Sequence, residues 1–413
     1  LYFISNLNGR NNLYAMDRGG SVPEPLLPPD IALQNPHLMP GRSFVVFPKL
    51  GKIVVMIDQD GDENYLPMSI PLDGGYPEPL FADVLANHRA SISEPDLERN
   101  VVSLVAEART ESLFRSYLAN LETGELSKLN ESKFGGTPDG SNEHKTRFIL
   151  SEGYGAGDVV LFHFNLAAEK PTTLLGTPMA ERKPGDPLRT YNVGNCHFIR
   201  NETGLLLGTS EFEDTYGLAY LSFANPEDLK PIPVDGIQHE GVGELEEIWH
   251  LTGNSYLLVY NIDGSSWAYE ATLDEANLTM RIDHLLCGQG ELADGVLESI
   301  QYNEVQDEYA LSFSTAVSPT QLYTISGQKR ERCQQHTRER ILGLPRKSLS
   351  PGEDYPFTSY DGLRISARLY LPADELGYEG PRPLVYYIHG GPQGQERPDF
   401  AWFSMPFIQF LAL

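Results

Sequence analysis

From residue 1 to about residue 325 the chain repeats one theme: a short apolar or alternating run, a turn of Gly, Asn or Asp, then a second such run. Residues 1–5 and 12–16 flank a turn ending in Asn8-Gly9, a strong hairpin dipeptide. Residues 44–47 and 53–57 precede the acidic turn 58–62, and 65–70 leads to Asp73-Gly74-Gly75. Further pairs are 101–107 with 113–120, 147–150 with 159–165 across the glycines of 152–157, and 205–210 with 217–223. Then come 256–261 with 267–273 around Asp263-Gly264, and 308–314 with 321–325 around 316–319. Each run predicts a strand.

These units number about seven over residues 1–345, roughly 45–50 residues each, which is near the period of propeller blades of four strands. A β-solenoid needs a shorter, stricter period, and tandem sandwiches need longer linkers. The expectation is an all-β propeller. Helical periodicity is almost absent, with only short turns predicted at 226–229 and 244–247.

After Ile325 the pattern changes. Lys329 to Arg332 and Arg338, Glu339 and Arg340 read as a solvated, charged link ending at Leu344-Pro345. Residues 355–360 and 363–371 predict a strand pair across Asp361-Gly362. Residues 383–388 are then continuously apolar, β-branched and aromatic, as a strand buried on both faces of a parallel sheet must be. The predicted division is therefore a propeller over 1–345 and the N-terminal, incomplete part of an α/β-hydrolase domain over 346–413.

Chemistry enters where that strand ends, at His389, Gly390, Gly391, Pro392, Gln393 and Gly394. Ligands of open α/β sheets sit beyond the carboxyl ends of the strands. Two glycines there let the backbone approach a reacting group and turn an N–H toward it. Acyl transfer needs such donors, because charge builds on the carbonyl oxygen; losing one typically costs on the order of 3 kcal/mol. The bland alternative is a strand-ending turn whose glycines only permit unusual φ; the preceding run and propeller weigh against it.

The run from Leu384 to Gln395 resembles the corresponding strand and loop of the prolyl oligopeptidase family of serine peptidases, closest to its acylaminoacyl-peptidase and dipeptidyl-aminopeptidase-like branches. Residues 357–372 also resemble that family's first hydrolase strands, and 60–65 are similar to its blade hairpins. The resemblance implies a Ser–His–Asp hydrolase whose propeller limits access to short peptide substrates. It implies that Gly391 offers its N–H to the oxyanion while His389 and Gly390 shape the loop. The family's serine, acid and base all lie downstream of this loop, and no GxSxG occurs in these 413 residues. The triad is expected beyond Leu413, in a remaining hydrolase domain of the same gene or a second chain; alone, this chain is expected to be inert. The apolar tail 400–413 agrees with that expectation.

Composition narrows the rest. Lys plus Arg number 31 against 57 Asp plus Glu, a net charge of −26, which argues against nucleic acid or anionic membranes as partners. No run of 18 apolar residues exists to span a membrane. The 3 cysteines, Cys196, Cys287 and Cys333, lack metal or disulfide spacing, so idle thiols in a reducing, cytoplasmic setting are expected. The chain opens as if in mid-strand, so a signal removed upstream stays open, as do three glycosylation triplets at Asn130, Asn201 and Asn277. No cofactor or metal is expected. Asp58, Asp60, Asp62 and Glu63 lack the glycine and glutamate of a calcium loop. Glu246-Glu247 invites comparison with paired glutamates that hold a substrate amine, though an exposed acidic turn is the simpler reading. Trp249, Trp267 and Trp402 are expected in cores. The oligomeric state is open, a homo-oligomer included. Alternatives to the peptidase are an esterase of the same fold and a non-catalytic propeller scaffold.

Overall fold

The computed structural model describes residues 1–168, 170–186, 190–390 and 394–413. Among the described residues the chain is nearly all-β, a propeller of seven blades. They form two compact units: Leu1–Phe212 with Leu218–Pro231, and Glu213–Gly217 with Ile232–Leu413.

In the first unit, Tyr2–Ser5, Asn12–Ala15 and Glu24–Pro25 form a three-stranded first blade. Four antiparallel strands make each of the next four blades, which begin at Phe44–Phe47, His88–Asp96, Gly135–Ser141 and Val193–Ile199. Blade packing explains the apolar runs. In Lys52–Ile57, Ile53 and Val55 pack with Leu13 and Leu26 of the first blade. Val54 and Met56 point the other way and pack with Ile92 and Leu104 of the third. Arg147–Gly155 repeats this, with Phe148 and Leu150 meeting Leu129 while Ile149 meets Leu205 and Leu207. A middle strand covered on both faces must be apolar at successive positions, because its side chains alternate between the two neighbours. Each such fully buried Val, Ile or Leu contributes ~1.5–3 kcal/mol.

In the second unit, Gly243–Thr252, Ser255–Ile262, Ser265–Asp274 and Thr279–Cys287 form the sixth blade, with Val234–Asp235 parallel to its last strand. Gly295–Asn303, Glu308–Thr315, Ser318–Ser326 and Arg332–Gln335 form the seventh. Leu257 and Val259 pack with Tyr309, Leu311 and Phe313 between them. One of the sixth blade's two-residue turns is Asp263-Gly264, between paired Ile262 and Ser265, with φ of 47° and 90°. Only a residue tolerant of left-handed backbone fits there, and glycine is the natural choice at the second place.

Several expectations are corrected. Residues 226–229 and 244–247 are not helical turns but lie in strands Asn225–Ile232 and Gly243–Thr252; both strands are polar, which hid them. Arg147–Gly155 runs on through the glycines taken as a turn. The charged link is partly blade: Arg332–Gln335 is a strand, and the Arg330 side chain is only 6% exposed. Arg330 lies over the rings of Tyr309 at 5.2 Å and Tyr302 at 5.9 Å, and its Nε donates to Glu270 of the sixth blade at 2.8 Å. Trp249 is 37% exposed and donates its indole N–H to Glu247 at 2.7 Å, instead of packing in a core.

After the seventh blade, order is sparse. The strand pair predicted across Asp361-Gly362 shrinks to Phe357–Thr358 with Arg364–Ile365, and Glu353–Asp354 with Arg368–Leu369. Helix Ser404–Ala412 follows the loop region. Its Met405, Gln409 and Ala412 are buried, and Phe403, Phe407 and Phe410 are exposed. Gln409 fixes it: Nε2 donates to Ala316 O at 2.8 Å and Ser350 O at 2.7 Å, and Oε1 accepts from Ser350 N–H at 2.8 Å.

Candidate functional site

The expected buried strand at 383–388 is absent. These residues are irregular and exposed, Leu384 at 74% and Ile388 at 80%. A strand of a parallel sheet takes its backbone hydrogen bonds from neighbours on both sides, and no described strand pairs with this run. Without partners its apolar residues have no sheet face to cover. Of the predicted loop residues, His389 is half-buried and Gly390 exposed, with open space where a Cβ would stand. Gly391, Pro392 and Gln393 lie outside the described residues. At Gly394 an added Cβ would come 2.1 Å from His389 Cε1, so a larger residue there would have to displace the imidazole.

The residues just after the loop are fastened to the sixth and seventh blades. Asn261 Nδ2 donates to Gln395 Oε1 at 2.9 Å. Arg397 donates from Nε to Gly264 O at 2.9 Å and from Nη2 to Ser266 Oγ at 2.8 Å, and Nη1 meets the Glu246 carboxylate at 3.3 Å. Ser314 Oγ donates to Asp399 Oδ1 at 2.8 Å, and Ala401 N–H reaches the same oxygen at 2.8 Å. Residues 395, 397 and 399 thus face the blades. Glu396 faces the other way, accepting the Ser404 hydroxyl and standing 3.8 Å from His389 Nε2. The same Asp263-Gly264 turn is also held by Arg364 Nη1, which donates to Asp263 Oδ1 at 2.7 Å.

Beneath Asp399 lies a second carboxyl. Glu298 accepts from Thr320 Oγ1 at 2.7 Å and shares the Ser314 hydroxyl. Burial and the nearby Asp399 charge push its pKa up to about 8. Sequence reasoning missed these anchors because Gln395, Arg397 and Asp399 form no motif. Their spacing of two, one face of an extended segment, is the only signal.

The other constellations are occupied locally. Glu246 is taken by Arg397, and Glu247 by Trp249. Asp62 accepts from the N–H groups of Gln59 and Asn64 at 3.2 and 3.0 Å, and Asp58 from Glu63 N–H at 3.2 Å, so these carboxylates shape the turn. Among the described residues no group of three or more His, Cys, Asp or Glu is placed to hold a metal ion, and no helix is long and apolar enough to cross a membrane. Cys196 and Cys287 are buried free thiols and Cys333 an exposed one.

No family model matches the sequence, and no curated protein does. Solved structures do match. A serine-to-alanine variant of puromycin hydrolase in complex with PGG aligns at TM-score 0.61 and 15% identity, over 90% of this chain and 57% of its own. Puromycin hydrolase itself gives 0.60 at 14% identity, over 88% and 55%. Apo prolyl oligopeptidase B from Galerina marginata gives 0.56 at 12% identity, over 88% and 53%. This chain therefore spans little more than half the length of these proteins. At such identities the likeness establishes the fold: a seven-bladed propeller like those of prolyl oligopeptidase-type peptidases.

Proposed function

We propose that this chain is the propeller and oxyanion-loop portion of a serine peptidase that cleaves short peptides, of the acylaminoacyl- or dipeptidyl-peptidase-like kind. The observation that carries the reading is the match of about nine-tenths of the chain, 90%, to puromycin hydrolase, with a histidine–glycine loop placed after the last blade. The domain division falls at 345/346. A serine, a histidine and an acid encoded after Leu413 supply nucleophile, base and orienting group. The serine oxygen attacks the substrate carbonyl as the histidine takes its proton, and the Gly391 N–H receives the negative oxygen. His389 and Gly390 shape the loop around that amide.

The exposed apolar side chains of Leu384, Val385, Ile388, Phe407 and Phe410 support a further protein surface covering this region. In this reading it is the rest of the hydrolase domain. The test uses the full-length gene product: labelling by a fluorophosphonate probe, then rates on aminoacyl-nitroanilide, acyl-peptide and p-nitrophenyl ester substrates. Labelling with amide cleavage is expected. Ester turnover without amide turnover makes the protein an esterase, and absence of labelling and turnover makes the propeller a scaffold.

A further inference from the structure

The fourth and fifth blades meet through an apolar face that ends in charge. Ile149 and Leu161, from the second and third strands of the fourth blade, pack with Leu205 and Leu207 of the fifth. His163 pairs with Ile149 across the strands, and Arg147 stands two residues before Ile149, so both side chains continue the same face. Arg147 Nε donates to His163 Nε2 at 3.0 Å. The guanidinium carbon lies 5.2 Å from the ring centres of both Phe198 and Phe223 of the fifth blade. Its Nη1 donates to the carbonyl and the carboxylate of Glu202, each at 3.0 Å, and the buried Asn142 donates to the same carboxylate at 3.0 Å. The Phe223 N–H ties this turn down by donating to Thr203 O at 3.1 Å.

A guanidinium can only donate, so this contact exists only while His163 Nε2 carries no proton. Protonating the imidazole makes both ring nitrogens donors, and no flip of the ring restores an acceptor. Two cations would then stand 3.0 Å apart in a half-buried seam. The charged groups here are Arg147 from the histidine's own blade and Glu202 from the fifth, beyond the guanidinium; Thr172, Phe198 and Phe223, the other described neighbours of His163, carry no charge. We propose that the seam is an acid-released latch between the fourth and fifth blades: a proton on His163 Nε2 expels the Arg147 guanidinium from the rings of Phe198 and Phe223 and frees the turn 200–203. The latch does not depend on the peptidase reading. Burial, and then the Arg147 charge, hold the His163 pKa below its ordinary 6.5. The unfolded chain therefore takes up this proton first, so the contact contributes in full above 6.5 and is lost as the pH falls toward the lower folded value. The third blade offers a contrast. Arg115 Nη1 stands 3.0 Å from His88 Nε2, but its Nε and Nη2 are held by Glu131 and Glu111, each at 2.9 Å. All four residues belong to one blade, so a proton on His88 leaves Arg115 moored and opens no seam.

The experiment follows the full-length protein from about pH 7.5 to about pH 4.5 with two readouts. Histidine-ring NMR gives the titration of His163, assigned by the signal that His163→Gln removes. Hydrogen exchange, expressed as protection factors to remove its intrinsic pH dependence, reports the turn. Protection at the Thr203 and Phe223 amides is expected to fall ~10- to ~100-fold, with the midpoint at which His163 titrates. The strand Ser255–Ile262 of the sixth blade should keep its protection over the same range. His163→Gln, whose neutral side-chain oxygen can accept from Arg147 at every pH, should hold the turn without pH dependence. Arg147→Met should show low protection already at the upper pH and raise the His163 midpoint. His88→Gln should leave the fall intact. The latch is overturned if His163 stays unprotonated to the bottom of the range, if protection does not track its titration in the wild type, or if the fall persists in His163→Gln.

Discussion

Replacing Arg330 by Met removes a charge that joins the last two blades. Its guanidinium makes two contacts to the Glu270 carboxylate, 2.8 Å from Nε and 3.2 Å from Nη2. Two more go to Asp307, 2.7 Å to the carboxylate and 3.0 Å to the carbonyl. Burial works against the charged form, but Glu270 and Asp307 outweigh it and raise the Arg330 pKa. The Asp307 side chain is 57% exposed, so that leg is screened and contributes at most ~1 kcal/mol. Glu270 is 14% exposed, and breaking a pair so enclosed costs ~3–5 kcal/mol. Part of this is recovered, because Tyr309 still donates its hydroxyl to Glu270 at 2.7 Å. A loss of ~3 kcal/mol is expected, with Met filling much of the space between the tyrosines. Urea denaturation followed by tryptophan fluorescence reads the right part of the molecule, since all 3 tryptophans, Trp249, Trp267 and Trp402, lie in the compact unit that contains Arg330. A cycle with Glu270→Gln isolates the pair, with an expected coupling of ~1.5–3 kcal/mol. A loss below ~1 kcal/mol, or a coupling near zero, would refute the reasoning.

Two other substitutions probe the C-terminal segment. Gln409→Leu leaves Ala316 O, Ser350 O and Ser350 N–H without their buried partner, so a loss of ~2–4 kcal/mol is expected. Faster hydrogen exchange at the Ser350 amide should accompany it, and unchanged exchange would contradict the docking described. Glu298→Gln tests the carboxyl pair through pH. Because the folded pKa is raised from the usual 4.5 to about 8, the unfolded chain releases this proton first, and wild-type stability falls as pH rises between those values. Glutamine has no proton to lose, so melting temperatures from pH 5 to 8 should show the variant gaining on the wild type; parallel curves would rule out the raised pKa.

The blades were legible because their middle strands, such as Ser255–Ile262 and Glu308–Thr315, are covered on both faces and written as apolar runs. First and fourth strands were missed where one face meets water: Asn225–Ile232 is mostly polar, and Thr172–Leu175 is short. The same logic explains the error at 383–388. Continuous apolarity says what cover a strand at this place would need, but not that neighbouring strands stand beside it, and among the described residues none pairs with it. Arg330 misled for the opposite reason. A run of charges reads as solvated, while aromatic rings and a carboxylate from a neighbouring blade, distant in sequence, take one of them out of water. At the loop, residue types were readable, but the support from Gln395, Arg397 and Asp399 comes from three-dimensional neighbours that no spacing announces.

The Asp263-Gly264 turn of the sixth blade has a consequence for how this chain tolerates change. Propeller hairpins generally accept extra residues at their tips, and Gly9, Gly61 and Gly124 stand at tips with empty space around them. Asp263-Gly264 is also a tip, yet Arg364, Ser366 and Arg397 all take hold of it. A tag or epitope spliced into the first three should pass unnoticed. Lengthening this one by a single residue would shift the footing of everything moored there.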